Sequence, residues 1–343
     1  MNIDMGALAT MESERGIPVE DLLYTIAGAL LSAYRTYRGV GASQGDTATA
    51  EEGGSTEKAR VDIDPQTGAV RVIVTEFGPE GEELSHYDDT PDNFGRIGAT
   101  AVRDSIIKKM REAETGVAFD AYQHLEQTVV SGVVQRDARA NERGIVVVEL
   151  GTEHDPQDGI LLPAEQIPGE KLKHGDRVKA FVVGVNRGPR NLQINLSRTH
   201  PELVRGLFEL EVPEIADGAV EIVGIAREAG HRSKVAVAPK VRGINAKGAC
   251  IGPRGQRVRT IMDELGGEKI DLIDYSENPA DFIAHALAPS KVVRVEILNA
   301  EEQSARVIVP DYQLSLAIGR EGQNARLAAR LTGWKIDIHS DAE

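Results

Sequence analysis

The stretch 249–256, Ala-Cys-Ile-Gly-Pro-Arg-Gly-Gln, recurs near the end of the chain as 316–323, Leu-Ala-Ile-Gly-Arg-Glu-Gly-Gln. The likeness continues beyond the two Gly-x-x-Gly motifs, because Lys-Ile-Asp at 269–271 returns at 335–337. A repeat of this kind indicates two copies of one structural unit. We call Gly252–Gly255 the first loop and Gly319–Gly322 the second loop.

Each copy shows the same order of predicted elements. Alternating apolar residues predict two strands ahead of each motif, at 220–226, 234–237, 292–298 and 305–309. Helices are predicted at 201–210, 256–265, 279–287 and 323–331, with a further short helix leading into each motif, and closing strands at 269–273 and 335–338. The order helix, strand, strand, helix, helix, strand, with Gly-x-x-Gly between the last two helices, is typical of a type II KH domain. We therefore predict two tandem KH domains at 200–276 and 277–343.

The chemistry of these loops suits a nucleic-acid backbone. Glycines allow the chain to pass close to a phosphate, and the helix that follows offers its N-terminal N–H groups and dipole to the anion. KH loops clamp about four nucleotides of a single strand. One such motif alone would fit a glycine-capped helical hairpin equally well, but two copies in matching contexts favour RNA binding.

Candidate RNA-binding residues follow from the motifs and their neighbours. In the first copy they are Arg232, Lys234, Lys247, Gly248, Ile251, Gly252, Pro253, Arg254, Gly255, Gln256 and Arg257. In the second copy they are Ile318, Gly319, Arg320, Glu321, Gly322, Gln323 and Asn324. Because Arg254 brings a cation to the first loop, whereas Arg320 and Glu321 partly cancel, we expect the first loop to hold phosphate more strongly.

The charge of the whole chain argues against this conclusion, but its distribution supports it. The 343 residues carry a formal charge of −15, which disfavours nucleic-acid binding. Residues 1–125 contribute 22 acidic and 11 basic side chains, a net −11. By contrast, 227–259 holds nine basic residues against one acid, a net +8 around the first loop. A basic run is often only a solvated face, so the repeat decides its interpretation.

Residues 126–199 have a different pattern. Five short apolar strands are predicted, at 129–134, 144–150, 159–162, 177–185 and 192–196. Five strands in so short a segment indicate a closed five-stranded OB-fold barrel. The phrases at 159–163, 175–180 and 194–199 resemble the S-one type of OB fold. Phe181 is the only Phe, Tyr or Trp between 126 and 200, so base stacking should be weak and the barrel could serve partly as a rigid spacer.

Residues 1–125 are predicted to form a compact acidic α/β domain. The apolar stripe of 19–34 predicts a helix with Pro18 in its first turn. A hairpin is predicted at 59–63 and 69–77, followed by a helix at 94–114. The segment 39–56 is rich in Gly, Ser, Thr and acids, and we expect a disordered loop there without an assigned function. The whole chain is thus a multidomain α+β protein.

The sequence contains little that points to an enzyme. It lacks the nucleotide-binding Gly-x-x-x-x-Gly-Lys-Ser/Thr and the metal-binding His-Glu-x-x-His. The single Cys250, flanked by apolar residues, is expected to be buried and inert, and Trp334 is expected in the core. We expect no enzyme activity, no cofactor and no metal. No apolar run reaches the length of a membrane span and the first residues lack a basic signal region, so we expect a cytoplasmic protein.

The order of the domains, and several phrases within them, are similar to one bacterial family. Residues 317–329, 211–215 and 230–237 strongly resemble the NusA family of transcription elongation, termination and antitermination factors. The resemblance covers nearly all of the chain. It implies that 1–125 binds core RNA polymerase near the RNA exit channel, while the OB–KH–KH array receives nascent single-stranded RNA. It also implies effects on pausing and hairpin-dependent termination, work with other Nus factors in antitermination, and a monomer.

Two other functions remain open from the sequence. KH and S-one type domains also occur together in RNA-degrading enzymes, although there the KH domain comes first and both follow catalytic domains. A ribosome-associated RNA-binding protein is the third possibility. Co-purification with RNA polymerase, with an RNA-degrading complex or with ribosomes would separate the three.

Overall fold

The computed structural model describes residues 1–39, 56–152, 155–188 and 192–342. The expected loop at 39–56 therefore lies almost entirely outside the described residues. The chain divides into two compact units, one formed by Met1–Ala121 with Arg187–Asn191, the other by Tyr122–Asn186 with Leu192–Glu343. None of the described helices is both long and apolar enough to cross a membrane.

The N-terminal unit packs helices against a three-stranded antiparallel sheet. Its elements are α1 (Met5–Arg15), α2 (Val19–Tyr37), β1 (Thr56–Ile63), β2 (Val70–Phe77), β3 (Glu83–Asp88) and α3 (Phe94–Tyr122). The predicted helices and hairpin are confirmed, although α3 extends eight residues further than 114. The buried stripe of α2, Leu22, Ile26, Leu30 and Tyr34, packs in one core with β2. The sequence missed α1 and β3 because α1 buries only Leu8 and every residue of β3 is exposed, so neither has an apolar pattern.

The predicted barrel is confirmed as a closed five-stranded sheet in the order β4-β5-β6-β8-β7. Its elements are β4 (Val129–Gln135), α4 (Ala138–Glu142), β5 (Val146–Thr152), β6 (Asp155–Leu161), β7 (Arg177–Arg187) and β8 (Leu192–Ser197). Strands β6 and β8 pair in parallel, β4 pairs antiparallel with β7, and the five strands form a closed ring. Closure leaves no free edge and makes the barrel a rigid platform for the segment that follows.

Two units of the same topology follow the barrel. The first consists of α5 (Pro201–Glu211), α6 (Pro213–Ala216), β9 (Val220–Glu228), β10 (Arg232–Pro239), α7 (Ala246–Ile251), α8 (Gln256–Glu264) and β11 (Lys269–Asp274). The second consists of α9 (Pro279–Ala286), β12 (Arg294–Asn299), β13 (Ser304–Val309), α10 (Leu314–Ile318), α11 (Gln323–Thr332) and β14 (Lys335–Ser340). In each, the central strand pairs antiparallel with the first strand and parallel with the last. Both predicted KH folds are confirmed.

The barrel and the first KH domain share a core and a buried ion network. Phe181 and Ile167 of the barrel pack in the same apolar cluster as helix α5. The guanidinium of Arg198, fully buried, donates to Glu170 Oε1 at 2.5 Å and to Glu264 Oε1 at 3.1 Å. A charge buried in this way needs both partners, because an unpaired one would cost several kcal/mol. The network therefore holds the end of α8 rigidly on the barrel.

Candidate nucleic-acid interface

The two loops have the same backbone conformation. Gly252 has φ 72° and ψ 176°, and its counterpart Gly319 has 76° and 170°. Two residues later, Arg254 and Glu321 both adopt positive φ, 54° and 53°. Non-glycine residues rarely adopt such angles, and conformations of this kind cluster at functional sites. The repeat is thus conserved between the two copies in backbone shape as well as in sequence.

The first glycine of each loop is required by both its angles and its surroundings. A Cβ on Gly252 would lie 2.5 Å from Cγ of Arg257, and one on Gly319 would lie 2.8 Å from the backbone N of Asn324. Real Cβ atoms do not approach neighbours so closely. Only glycine lets the chain turn here directly against the helix that follows.

Both loops lead directly into the N-terminus of a helix. Helix α8 begins at Gln256 and α11 at Gln323, and within the described chain neither start has a side-chain cap or an acidic residue in its first turn. The N-terminal N–H groups carry the positive end of the helix dipole. An uncapped start beside a glycine turn is a suitable site for a phosphate.

Most of the predicted residues lie on the surface around the loops. The exposed ones are Gly248, Ile251, Pro253, Arg254 and Gln256 in the first copy, and Ile318, Arg320 and Glu321 in the second. Lys247 and the four loop glycines are partly buried. Each KH domain therefore exposes one short surface, made of a loop and the ends of the two helices that flank it.

Two predicted residues are buried and do not belong to this surface. Lys234 is fully buried, and its ammonium donates to Asp271 at 3.1 Å and to the carbonyl O of Ala288 at 2.8 Å. Burial lowers the pKa of Lys234, which the carboxylate of Asp271 partly offsets. Asn324 is 3% exposed and donates to the carbonyls of Ala317 and Leu287. The ammonium of Lys234 and the amide N–H groups of Asn324 bind within the fold, so we omit both residues from the proposed RNA surface.

Two predicted arginines form hydrogen bonds and ion pairs with other residues of the protein. Arg232 donates to Asp271 at 2.7 Å through Nε. Arg257 donates to Glu214 at 2.8 Å and to the carbonyl of Ala249 at 2.7 Å, so it ties α8 back to the helix before the loop. Asn324 makes the equivalent tie in the second copy. Arg257 and Asn324 therefore each connect the helix after a loop to the helix before it, which stabilises the loop conformation.

The basic stretch 227–259 is largely neutralised in the folded chain. Six of its nine basic residues form ion pairs with acids from outside the stretch: Arg227 with Glu268, Arg232 and Lys234 with Asp271, Lys240 with Glu221, Lys247 with Asp274, and Arg257 with Glu214. Among the described residues, Arg242, Arg254 and Arg259 have no ion pair, and all three are exposed. Of the expected patch of +8, three arginines without an ion pair therefore remain in the described chain.

Arg242 and Arg259 were missed as candidate RNA contacts. Arg259 lies on α8 two residues beyond Arg257, and Arg242 lies between β10 and α7. The repeat itself offered a signal for Arg259, because an arginine recurs at the same position of the second copy as Arg326. Nothing in the sequence distinguished Arg242 from its paired neighbours.

The remaining candidates are structural. Cys250 is fully buried, and this burial raises the pKa of its thiol to about 11, as expected for an inert residue. Phe181 is buried and stacks on His200 with ring centroids 4.5 Å apart, so the one aromatic ring of the barrel segment faces the KH domain. Trp334 packs on the core of the second KH domain. In the described part of the chain, no cluster of His, Cys, Asp or Glu could hold a metal ion.

Comparisons with known proteins agree with this architecture. A family model described as the NusA-like first KH domain matches residues 198–275, and one described as the NusA-like second KH domain matches 279–343. Over 342 residues the chain is 56% identical to the transcription termination/antitermination protein NusA of Mycobacterium tuberculosis, covering 100% of this chain and 94% of that protein. The chain belongs to the NusA family. The protein of the same name from Bacillus subtilis is 41% identical over 362 residues, covering 99% of this chain and 91% of its own length.

More distant NusA relatives also match along most of the chain. The Thermus thermophilus protein is 35% identical over 356 residues, which cover 97% of this chain and 88% of that protein. The two NusA-like KH models each include one of the loops and the helix that follows it. The surface described above is thus part of a NusA-type tandem KH array.

Proposed function

We propose that this chain is a transcription factor that binds RNA polymerase and nascent single-stranded RNA and so modulates pausing, intrinsic termination and antitermination. The relatives it matches are named for termination and antitermination. The observation that carries the RNA-binding part is the pair of loops with matching backbones, each at the open start of a helix. We assign the binding to sites on the protein surface, without a catalytic step, a metal or a cofactor.

The first loop is the main anchor for phosphate in this proposal. Arg254 within it, and Arg259 one turn along α8, are exposed and carry charge that no carboxylate of the described chain neutralises. In the second loop, the side chains of Arg320 and Glu321 lie 3.8 Å apart. The first loop therefore attracts a phosphate more strongly than the second. The second loop contacts the RNA further along the same molecule.

The N-terminal unit is the proposed contact with polymerase. Residues 1–125 carry a net −11, which repels RNA and favours a basic protein surface. The unit also exposes large apolar side chains that its own core does not use, including Tyr24 at 84% and Val117 at 73%. Acidic surface with exposed apolar residues suits a protein partner better than a nucleic acid. In this proposal one copy of the protein, which does not self-associate, binds polymerase in the cytoplasm.

Replacing Pro253 and Arg254 by aspartate tests this proposal. We expect Pro253→Asp with Arg254→Asp to lower the affinity for single-stranded RNA at least about tenfold, because a cation is lost and two anions are placed where phosphate binds. Binding of the same protein to core RNA polymerase should be unchanged. RNA affinity is measured by fluorescence anisotropy, and polymerase binding by co-migration in gel filtration.

The control is Arg60→Asp, at an exposed arginine of the N-terminal unit, which changes the charge by −2 where the loop variant changes it by −3. It should leave RNA affinity unchanged. A fragment of residues 1–125 should co-migrate with polymerase but not bind RNA. Equal RNA affinity of the loop variant and wild type would contradict the assignment of the site, and co-purification with ribosomes or an RNA-degrading complex instead of polymerase would contradict the proposed partner.

A further inference from the structure

The second loop differs from the first in how the helix behind it is held. Arg259 on α8 and Arg326 on α11 occupy the same position of the repeat. Arg259 has no ion pair among the described residues, whereas Arg326 donates from Nε to Glu228 Oε1 at 2.6 Å. Because Glu228 belongs to β9 of the first KH domain, this contact joins the two KH domains.

Glu228 binds one face of α11. Its carboxylate accepts from Gln323 Nε2 at 2.9 Å and from Arg326 Nη2 at 3.2 Å, and it lies 3.8 Å from Arg330 Nη1. These three residues are spaced three and four apart, so they share one side of the helix. The first of them, Gln323, directly follows the last glycine of the second loop.

The same arginine also reaches the loop itself. Arg326 Nη1 donates to the carbonyl O of Glu321, at 3.2 Å, while Nε and Nη2 hold Glu228. A single guanidinium thus connects the backbone of the second loop to the first KH domain. Its fork of rigid donors fixes direction as well as distance.

The far end of α11 is held on the same strand. A Cβ on Gly224 of β9 would lie 3.6 Å from Leu331 near the end of the helix. Helix α11 thus contacts β9 at two positions, Glu228 and Gly224, and the strongest hydrogen bonds of Glu228 go to Gln323 and Arg326, in the half of the helix that carries the second loop.

We propose that Glu228 is a positioning residue for RNA binding. It fixes the second loop at a place that an RNA molecule already bound to the first loop can reach. This inference rests on the proposed RNA-binding function. Two linked sites bind one strand tightly only when their geometry allows both to be occupied together. The carboxylate is 18% exposed and bound by three side chains of α11, so it is directed at the second domain and not at RNA.

The length of the RNA separates positioning from a simple effect of charge. We expect Glu228→Ala to lower the affinity for an RNA of about twelve nucleotides at least about tenfold, because the second loop is no longer held in register. The affinity for an RNA of about four nucleotides, which one loop can clamp, should stay within about twofold. The charge-swapped pair Glu228→Arg with Arg326→Glu restores the ion pair but not the donor to the Glu321 carbonyl, so it should bind the long RNA more tightly than Glu228→Ala and than Arg326→Glu alone, though less tightly than wild type.

The alternative results are distinct. If Glu228 only repels phosphate, its removal frees Arg326 and raises the affinity for both RNAs, which overturns the proposal. Unchanged long-RNA affinity, or a swapped pair no better than Glu228→Ala, also overturns it. The rate at which a thiol reagent modifies buried Cys250 reports whether the first KH domain stays folded. If Glu228→Ala exposes Cys250, the long-RNA affinities of the swapped pair and of Arg326→Glu alone are compared instead. A swapped pair that binds no more tightly than Arg326→Glu alone overturns the proposal. Wild-type protein that binds neither RNA would instead refute the proposed function.

Discussion

At the scale of single residues, partners distant in sequence change what a side chain can do. Tyr34 of α2 illustrates this in the N-terminal unit. Its hydroxyl donates to Asp89 and accepts from Arg38 Nε at 3.1 Å. Burial, helped by the hydrogen bond to the Asp89 carboxylate, raises the pKa of Tyr34 to about 12. In the sequence Asp89 is an ordinary acidic residue. In the structure it accepts the hydrogen bond of the Tyr34 hydroxyl, the polar end of an α2 side chain that packs in the core.

The pH dependence of the N-terminal unit should show this contact. Because the pKa of Tyr34 is higher in the folded than in the unfolded chain, the contact stabilises the fold fully below about pH 10, the ordinary tyrosine value. That stabilisation is lost as pH rises through about 12. In an ultraviolet titration of the seven tyrosines, we expect Tyr34→Phe to remove the last phase. Tyr24→Phe, on the exposed side of the same helix, should leave that phase in place; a late phase that survives Tyr34→Phe would disprove the assignment.

At the scale of elements, each loop is a short backbone motif held by the helix on either side. Gly252 lies in a region of φ and ψ that is essentially restricted to glycine, whereas Gly255, at φ 74° and ψ 18°, lies in the left-handed helical region that other residues can enter. A Cβ on Gly255 would meet no described atom within 4 Å. The two glycines of one motif therefore have different reasons to be glycine.

This difference predicts unequal effects of alanine. Gly252→Ala should destabilise the first KH domain by about 1–3 kcal/mol, and Gly255→Ala by about 1 kcal/mol. Because the chain has one cysteine and that cysteine is buried beside the loop, its labelling rate by a thiol reagent measures local opening. We expect Gly252→Ala to accelerate labelling by a larger factor than Gly255→Ala. The reverse order would show that the angles at Gly252 are not restrictive.

At the scale of the whole molecule, the charge that RNA meets differs from both the total and the local sums. The total is −15 and the stretch 227–259 sums to +8, yet only Arg242, Arg254 and Arg259 of that stretch lack an ion pair in the described chain. The acids that neutralise the others come from α6, from the start of β9, from β11 and from Glu268, the residue before β11. The salt dependence of RNA binding should follow the three free arginines.

The slope of log affinity against log salt measures this directly. For an RNA of about four nucleotides, contact with all three free arginines predicts a slope of about −2, whereas contact with all nine basic residues of the stretch would predict about −6. Arg254→Gln should reduce the slope by about 0.7. Lys247→Gln, which removes a cation already paired with Asp274, should change it little. A slope near −6 for the wild type would mean that RNA displaces the internal carboxylates.

The sequence by itself determined the order of domains, the KH topology and the two loops, because these depend on local patterns: alternation in strands, periodicity in helices, and glycines where the backbone must turn. Tertiary structure alone decided which side chains are free. The parallel pairing of β10 with β11 places Asp271 beside Lys234 and Arg232. The contact of α11 with β9 gives Glu228 to Arg326. Electrostatic pairing acts through space over a few ångströms, so residues 37 or 98 positions apart in the chain can cancel charges that look free in the sequence.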